Sequence, residues 1–275
     1  MGPVIARSLP RLGARAIIGV VALLVVVPVL WTLMSAFKHT VDIQTSPPIL
    51  LFKPTPDNFL YVLERSSVRG ALVNSIIVST SSVLIGAVLG LPCAYAVARY
   101  PTRHAADIQF FVLSLRFLPP IAVALPLMVI WLDAGLYDTR TALIVTYTLF
   151  TLSVTIWLAI PAFKQVPREI EEAAFVDGYS AYAIFFLIAL PVAAKSLIGA
   201  IVFSFVLVWN EFLIALMLTT SDARTLPIMA SELSQLGFDT PWGILNASVI
   251  VLSLPPLMFL GILSGFLNSF LKRKT

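Results

Sequence analysis

The residues best placed to do chemistry lie mostly in one stretch, 167–178, reading Pro-Arg-Glu-Ile-Glu-Glu-Ala-Ala-Phe-Val-Asp-Gly. Pro167 suits the first position of a helix, where its missing N–H costs nothing. Glu169, Glu171 and Glu172 fall in the first turns, where carboxylates favour the positive end of the helix dipole. Gly178 is placed to end the helix in the left-handed conformation. Ile170, Ala173, Ala174 and Asp177 recur at helical spacing, so one face is mostly small and apolar. Small residues let a helix seat deeply in a groove on another protein. Ser180 can cap a second short helix running through Phe186, and Pro191 interrupts the chain before the next apolar stretch. On these residues alone, an amphipathic connector lying on a membrane surface remains the other reading.

Several chemistries are missing. A phosphate-binding P-loop needs Gly-Lys followed by Ser or Thr, and the six lysines follow Phe37, Phe52, Phe163, Ala194, Leu271 and Arg273. Cys93 is the single cysteine, so no internal disulfide forms and a cysteine-rich metal site is not expected. His39 and His104 fall outside the apolar stretches, and with no Gly-x-Ser-x-Gly there is no nucleophile–base pair. Neither catalysis nor a bound metal or nucleotide is expected of this chain.

The elements that must position these residues are membrane spans. Of 275 residues, 59% are hydrophobic and 12% charged, against about 25% charged in soluble domains. A helix crossing a bilayer needs roughly 20 apolar residues. Six runs qualify: 16–37, 72–98, 108–131, 141–163, 197–218 and 243–271. Together they make one all-α transmembrane domain over residues 1–275, with a cytoplasmic loop at 164–196. Arg7, Arg11 and Arg15 precede the first run, which is longer than a signal peptide core and is read as retained.

Orientation follows from the basic residues. With a cytoplasmic N-terminus, inner segments carry Arg7, Arg11, Arg15, Arg99, Arg103, Lys164, Arg168, Lys272, Arg273 and Lys274. Outer segments carry Lys38, Lys53, Arg65, Arg69, Arg140 and Arg224, so both termini should face the cytoplasm. The net charge of +4 is therefore topological information and implies no nucleic-acid partner. Outside, the proline-rich segment 38–71 and the segment 219–242 either receive an extracytoplasmic partner or serve as linkers.

Charges within spans are expensive and are functional candidates by default. Arg116 and Glu211 either pair or snorkel to opposite interfaces. Asn210 beside Trp209 offers an amide and an indole, the groups that hold sugar hydroxyls and rings. An interspan hydrogen bond and an interfacial tryptophan account for them equally. Pro119-Pro120, Pro126 and Pro255-Pro256 are expected to break or kink the third and sixth spans.

The spacing Glu172-Ala173-Ala174, three residues, Gly178, nine residues, Ile188, one residue, Leu190-Pro191 resembles the EAA motif of binding-protein-dependent ABC importer permeases. Asn74-Ser75, Ala94-Tyr95-Ala96 with Arg99, and Trp209-Asn210-Glu211-Phe212 are similar to the carbohydrate branch, close to the second permease subunit of the maltose transporter. The tail departs from that branch, lacking its glycine-rich ending. This resemblance implies a non-catalytic subunit for import of a sugar, oligosaccharide or polyol across a bacterial inner membrane. Glu172, Ala173, Ala174, Asp177, Gly178, Leu190 and Pro191 would then form the coupling element, its Ala173/Ala174 face entering the ATPase. A sister permease in a heterodimer, two ATP-binding subunits holding ATP and Mg²⁺, and an extracytoplasmic solute-binding protein are the implied partners. The competing class is an ion-coupled secondary transporter, which would show an acidic relay and internal repeats; Glu211 stands nearly alone and no repeat is visible.

Overall fold

Long apolar stretches must satisfy their own backbone polar groups once water is gone, and a helix does this within one segment. The computed structural model describes residues 3–100, 103, 105–114, 119–233 and 241–272, and no strand occurs among them. Among the described residues, five helical segments are long and apolar enough to cross a membrane: Arg15–Ala36, Ser66–Arg99, Arg140–Lys164, Ala181–Trp209 and Trp242–Gly265. The chain forms two compact units, Met1–Ser66 with Ala230–Leu252, and Ser67–Met229 with Ser253–Thr275.

The first unit contains α1 (Pro3–Ala36), α2 (Thr40–Ile43) and α3 (Asp57–Glu64). The apolar side chains of α1 from Ile17 to Leu30 are largely exposed, as suits a helix whose solvent is lipid. Asn58 on α3 donates to the carbonyls of Ala36 (2.9 Å) and Lys38 (2.8 Å), partnering groups freed at the end of α1. Gly243 is required against it, because a Cβ there would lie 2.6 Å from the Asn58 amide nitrogen. Lys38 is buried. Its ammonium donates to Ile49 O at 2.6 Å and lies about 5 Å from the ring centres of Trp31 and Phe52. The proline-rich segment is thereby folded back onto the end of α1.

The second unit carries α4 (Ser66–Arg99), α5 (Ala105–Ser114), α6 (Pro120–Asp133), α7 (Arg140–Lys164), α8 (Arg168–Val176) and α9 (Ala181–Ile184). After them come a π-helical turn (Phe185–Ala189), α10 (Leu190–Trp209) and α11 (Leu213–Leu218). The chain continues through α12 (Leu226–Leu233) and α13 (Trp242–Lys272).

Two expectations about prolines need correction, and one bears on the third stretch as expected. In the third stretch, α5 and α6 are described on either side of residues 115–118, with Pro119 as the N-cap of α6 and Pro120 at its start, where the proline pair was expected to break or kink the span. Pro255-Pro256 does not break α13, because proline's fixed φ is helical and neighbouring turns hold the helix together. Pro191 does not interrupt the chain either. It lies in the first turn of α10, and the preceding residues widen into a π turn in which Leu190 N–H bonds Phe185 O. That widening provides an alternative to the i→i−4 pattern, which the ring would disrupt.

Helices α4 and α7 approach closely through small residues. A Cβ on Gly86 would collide with the Thr151 hydroxyl, and one on Gly90 would lie 3.2 Å from Thr155 Cγ2. Thr151 cannot easily yield, since its buried hydroxyl donates to Ser82 O at 2.9 Å. Ser82 in turn donates to Ile144 O (3.2 Å), and Thr155 Oγ1 lies 3.3 Å from Ser204 Oγ on α10. Such small-residue and hydroxyl contacts supply specificity where lipid removes the hydrophobic drive between helices. Near the α7–α8 end, Tyr95, Phe163 and Phe185 form an aromatic core with centroids 5.1–6.0 Å apart. Gly86→Ala should destabilise the protein by about 1–3 kcal/mol through overpacking. Gly70→Ala, where a Cβ meets nothing within 4 Å, should match or exceed the wild-type melting temperature in detergent.

Candidate functional site

The segment 167–178 forms the helix its residues specify. Pro167 takes an extended conformation (φ −60°, ψ 131°) as the N-cap, one position earlier than expected, and α8 starts at Arg168. Gly178 has a φ of 88°. Its N–H bonds Phe175 O (3.1 Å) while Tyr179 N–H bonds Ala174 O (3.0 Å), the paired pattern of a Schellman ending. No atom would obstruct a Cβ on Gly178, so the demand for glycine is conformational. Ser180 caps α9 by accepting from Ala183 N–H at 3.3 Å. Leu190 packs on the aromatic core, and Pro191 belongs to the π-turn entry of α10.

Ala173 and Ala174 do not share an outward face. Ala174 is buried against the chain's own core, while Ile170, Ala173 and Asp177 are exposed. Successive helical residues rotate by about 100°, so two adjacent alanines point to different sides. Glu172 is exposed. Phe175 and Val176 are 71% and 84% exposed, and Tyr182 on α9 is 81% exposed. The acidic residue engaged internally is Glu171. Its carboxylate accepts from Arg99 Nε (2.9 Å), Arg99 Nη2 (2.7 Å) and Tyr95 OH (2.9 Å). Arg99 Nη2 also donates to Val166 O at 2.7 Å, in the turn before α8. Sequence reading singled out each partner separately; only the fold joins them.

A second constellation lies at the break between α10 and α11. Glu211 accepts from Tyr147 OH (2.6 Å) and from the backbone N–H groups of Ile214 (2.8 Å) and Ala215 (3.1 Å). A carboxylate at a helix N-terminus satisfies orphan donors and meets the positive dipole end. Beside it lies a cavity of ≈ 240 Å³ lined by Tyr147, Phe150, Thr151, Ser204, Glu211 and Pro120 among others. Trp209 does not line it: the indole is buried, stacked on Phe205 at 5.7 Å. Asn210 is exposed and donates to Val206 O at 2.8 Å, finishing α10. Arg116 lies outside the described residues. Tyr147, Thr151 and Ser204 escaped sequence reading, since a hydroxyl in an apolar run gives no local signal of what it faces.

A third cluster secures the loop after α11. Asp138 adopts a φ of 57°, a conformation aspartate tolerates better than most residues. Its carboxylate accepts from the backbone N–H groups of Thr220, Ser221, Asp222 and Ala223 at 2.9–3.1 Å, and from both hydroxyls of Thr220 and Ser221. Burial acts to raise its pKa, but the amides of Asp222, Ala223, Ser221 and Thr220 together hold the carboxyl well below the usual range. From α4, Asn74 donates to Asp222 O and Arg224 O at 2.9 Å each, and accepts from Arg140 Nε at 2.7 Å. Ser75 Oγ accepts from Leu226 N–H at 2.7 Å. The Asn74-Ser75 pair thus clamps the α11–α12 connection.

Residues 83–275 match a protein family described as the binding-protein-dependent transport system inner membrane component. The chain belongs to this family. It is 32% identical over 252 residues to a probable ABC transporter permease of Sinorhizobium fredii, covering 90% of this chain and 89% of that one. A diacetylchitobiose uptake permease of Streptomyces coelicolor is 31% identical, covering 86% and 79% respectively. A trehalose transport permease of Mycobacterium tuberculosis is 32% identical, covering 84% and 85%. In fold, the permease is similar to a chain of a bacterial ABC transporter involved in import of the acidic polysaccharide alginate. The TM-score is 0.76 at 17% identity, over 97% of this chain and 99% of the other. The permease is a multi-pass inner-membrane protein.

The Asp138 cluster sets a pH dependence. A carboxyl whose folded pKa is depressed contributes stability that is complete above its unfolded value of about 3.9 and is lost as pH falls toward the folded value. Asp138→Asn keeps the side-chain shape and tolerance of positive φ but removes the charge. It should melt several degrees lower than the wild type at pH 7, with the difference shrinking steadily below about pH 4. A pH-independent difference would show that the carboxylate charge is irrelevant there.

Proposed function

We propose that this permease is a non-catalytic membrane subunit of an ATP-driven importer for a sugar, oligosaccharide or polyol. Its solute arrives on an extracytoplasmic binding protein. It pairs with a sister permease and two ATP-binding subunits, which hold ATP and Mg²⁺, and both its termini face the cytoplasm. The observation that carries the proposal is α8. It is a rigid helix between a proline and a left-handed glycine, with Phe175, Val176 and nearby Tyr182 exposed at a level that lipid or a protein must cover. The basic residues Arg99, Lys164 and Arg168 around it support the cytoplasmic side. The carbohydrate class is supported by relatives named for diacetylchitobiose and trehalose transport.

On this reading the docking face is Glu172, Val176 and Ala173, flanked on opposite edges by Phe175 and Ile170, and Ala174 anchors the helix from behind. The cavity beside Glu211 is the candidate solute contact, its hydroxyls and aromatic rings matching what sugar recognition requires. Glu172, Asp177 and Gly178 shape and terminate the docking helix, while Leu190 and Pro191 fix its exit into α10. Uptake of labelled di- and oligosaccharides into vesicles, with the binding protein encoded alongside, tests the substrate class. Exclusive uptake of amino acids or metal ions would reject it.

Phe175→Ala should weaken retention of the ATP-binding subunit by about 2 kcal/mol or more, as for a buried aromatic anchor. Gly178→Val should strain the ending by about 1–2 kcal/mol and misdirect the helix. Both variants should still insert in the membrane. Full retention of the ATPase by both, measured on purified assemblies, would reduce α8 to a connector.

A further inference from the structure

We infer that Arg99 and Glu171 form the link that carries displacement of α8 to the membrane-spanning helix α4, making Glu171 a positioning residue for coupling rather than part of the docking face. This rests on the reading of α8 as the docking helix. The two side chains are 6% and 11% exposed and meet in a forked geometry, with Arg99 Nε and Nη2 both donating to one carboxylate. A fork of this kind sets angle as well as distance. Arg99 is the last residue of α4, where a cation suits the negative end of the helix dipole. Tyr95, one turn earlier, donates to the same carboxylate, so α4 grips Glu171 at two points.

The placement is mechanical. Pro167 and Gly178 bound α8 and are where the backbone leaves helical geometry at its two ends. On this inference a push on α8 from the cytoplasm turns it between those ends, and Glu171 is attached to α4 rather than to either end. Arg99 also holds Val166 O, so the turn out of α7 moves with the same guanidinium. From there α4 bears on α7 through Gly86 and Gly90 against Thr151 and Thr155. Helix α7 then holds Glu211 through Tyr147 at the α10–α11 break. A buried ion pair is a poor source of net stability, since desolvation offsets its Coulomb energy. Geometry is what it supplies here.

Cys93 gives a native probe, because it lies on α4 two residues before Tyr95 and packs part-buried on the same core. The full assembly is purified with its ATP-binding subunits, and alkylation of Cys93 by N-ethylmaleimide is followed by mass spectrometry. Rates are compared without nucleotide and with a non-hydrolysable ATP analogue. Bound ATPase is quantified in the same samples. In the wild type, nucleotide should change the rate by about fivefold or more. In Glu171→Gln the ratio should fall to about one with the ATPase still bound. The double variant Arg99→Met with Glu171→Leu leaves no stranded buried charge and should behave likewise. A nucleotide effect of wild-type size in either variant overturns the inference, as does a wild type without one. Loss of the ATPase from Glu171→Gln alone would make Glu171 a docking residue and overturns it too. Failure of the wild type to hold any ATP-binding subunit would instead overturn the docking reading itself.

Discussion

Inside a bilayer no water is available to pair a freed backbone group, and this one constraint governs where the permease departs from regular helix. At the departures described below, the freed groups are met by other groups of the protein. At the α10–α11 break the carboxylate of Glu211 receives the Ile214 and Ala215 N–H groups. Before Pro191 a π turn redistributes the bonding instead of opening the helix. In the outer segment beyond α11, Asp138 gathers four successive amides and Asn74 holds two carbonyls of the same loop. Irregular backbone at or near membrane depth is tolerated where protein groups surround it.

The same absence of water changes how the helices associate. Apolar side chains gain little by meeting one another when lipid is equally apolar, so contact must come from close approach and shared hydrogen bonds. Gly86 and Gly90 allow α4 to bring its backbone near α7, and Ser82, Thr151, Thr155 and Ser204 link α4, α7 and α10 by hydroxyls. Aromatic packing of Tyr95, Phe163 and Phe185 then consolidates the end from which α8 emerges. Helices α4 and α7, joined by this close approach, are also the helices that carry Arg99 and Tyr147.

These features divide the permease into a closely packed helical body and a surface element attached to it. Phe175 and Val176 face outward from α8, while Ala174 and Glu171 hold its inner side to the chain. The inner side is polar at Glu171 and apolar at Ala174, so it is specific in register as well as adhesive.

Much of this was legible in the chain order alone. Apolar run length identified the membrane class, since a bilayer has a fixed thickness, and it placed most of the long helices. The local chemistry of Pro167, Gly178 and Ser180 determined the start and stop of α8 and the cap of α9, because capping acts over a few bonds. What the order of residues did not contain was direction and distance in space. Ala173 and Ala174 read as one face until rotation about the helix axis separated them. Trp209-Asn210 left a sugar-binding pair and a structural pair equally open, and the stacking of the buried indole on Phe205 favours the structural one. Glu171 gave no sign of its 2.7 Å partner 72 residues away. Helix existence depends on neighbours along the chain, whereas pairing between Glu171 and Arg99 or Glu211 and Tyr147 depends on how whole helices pack, and only the tertiary structure decides that.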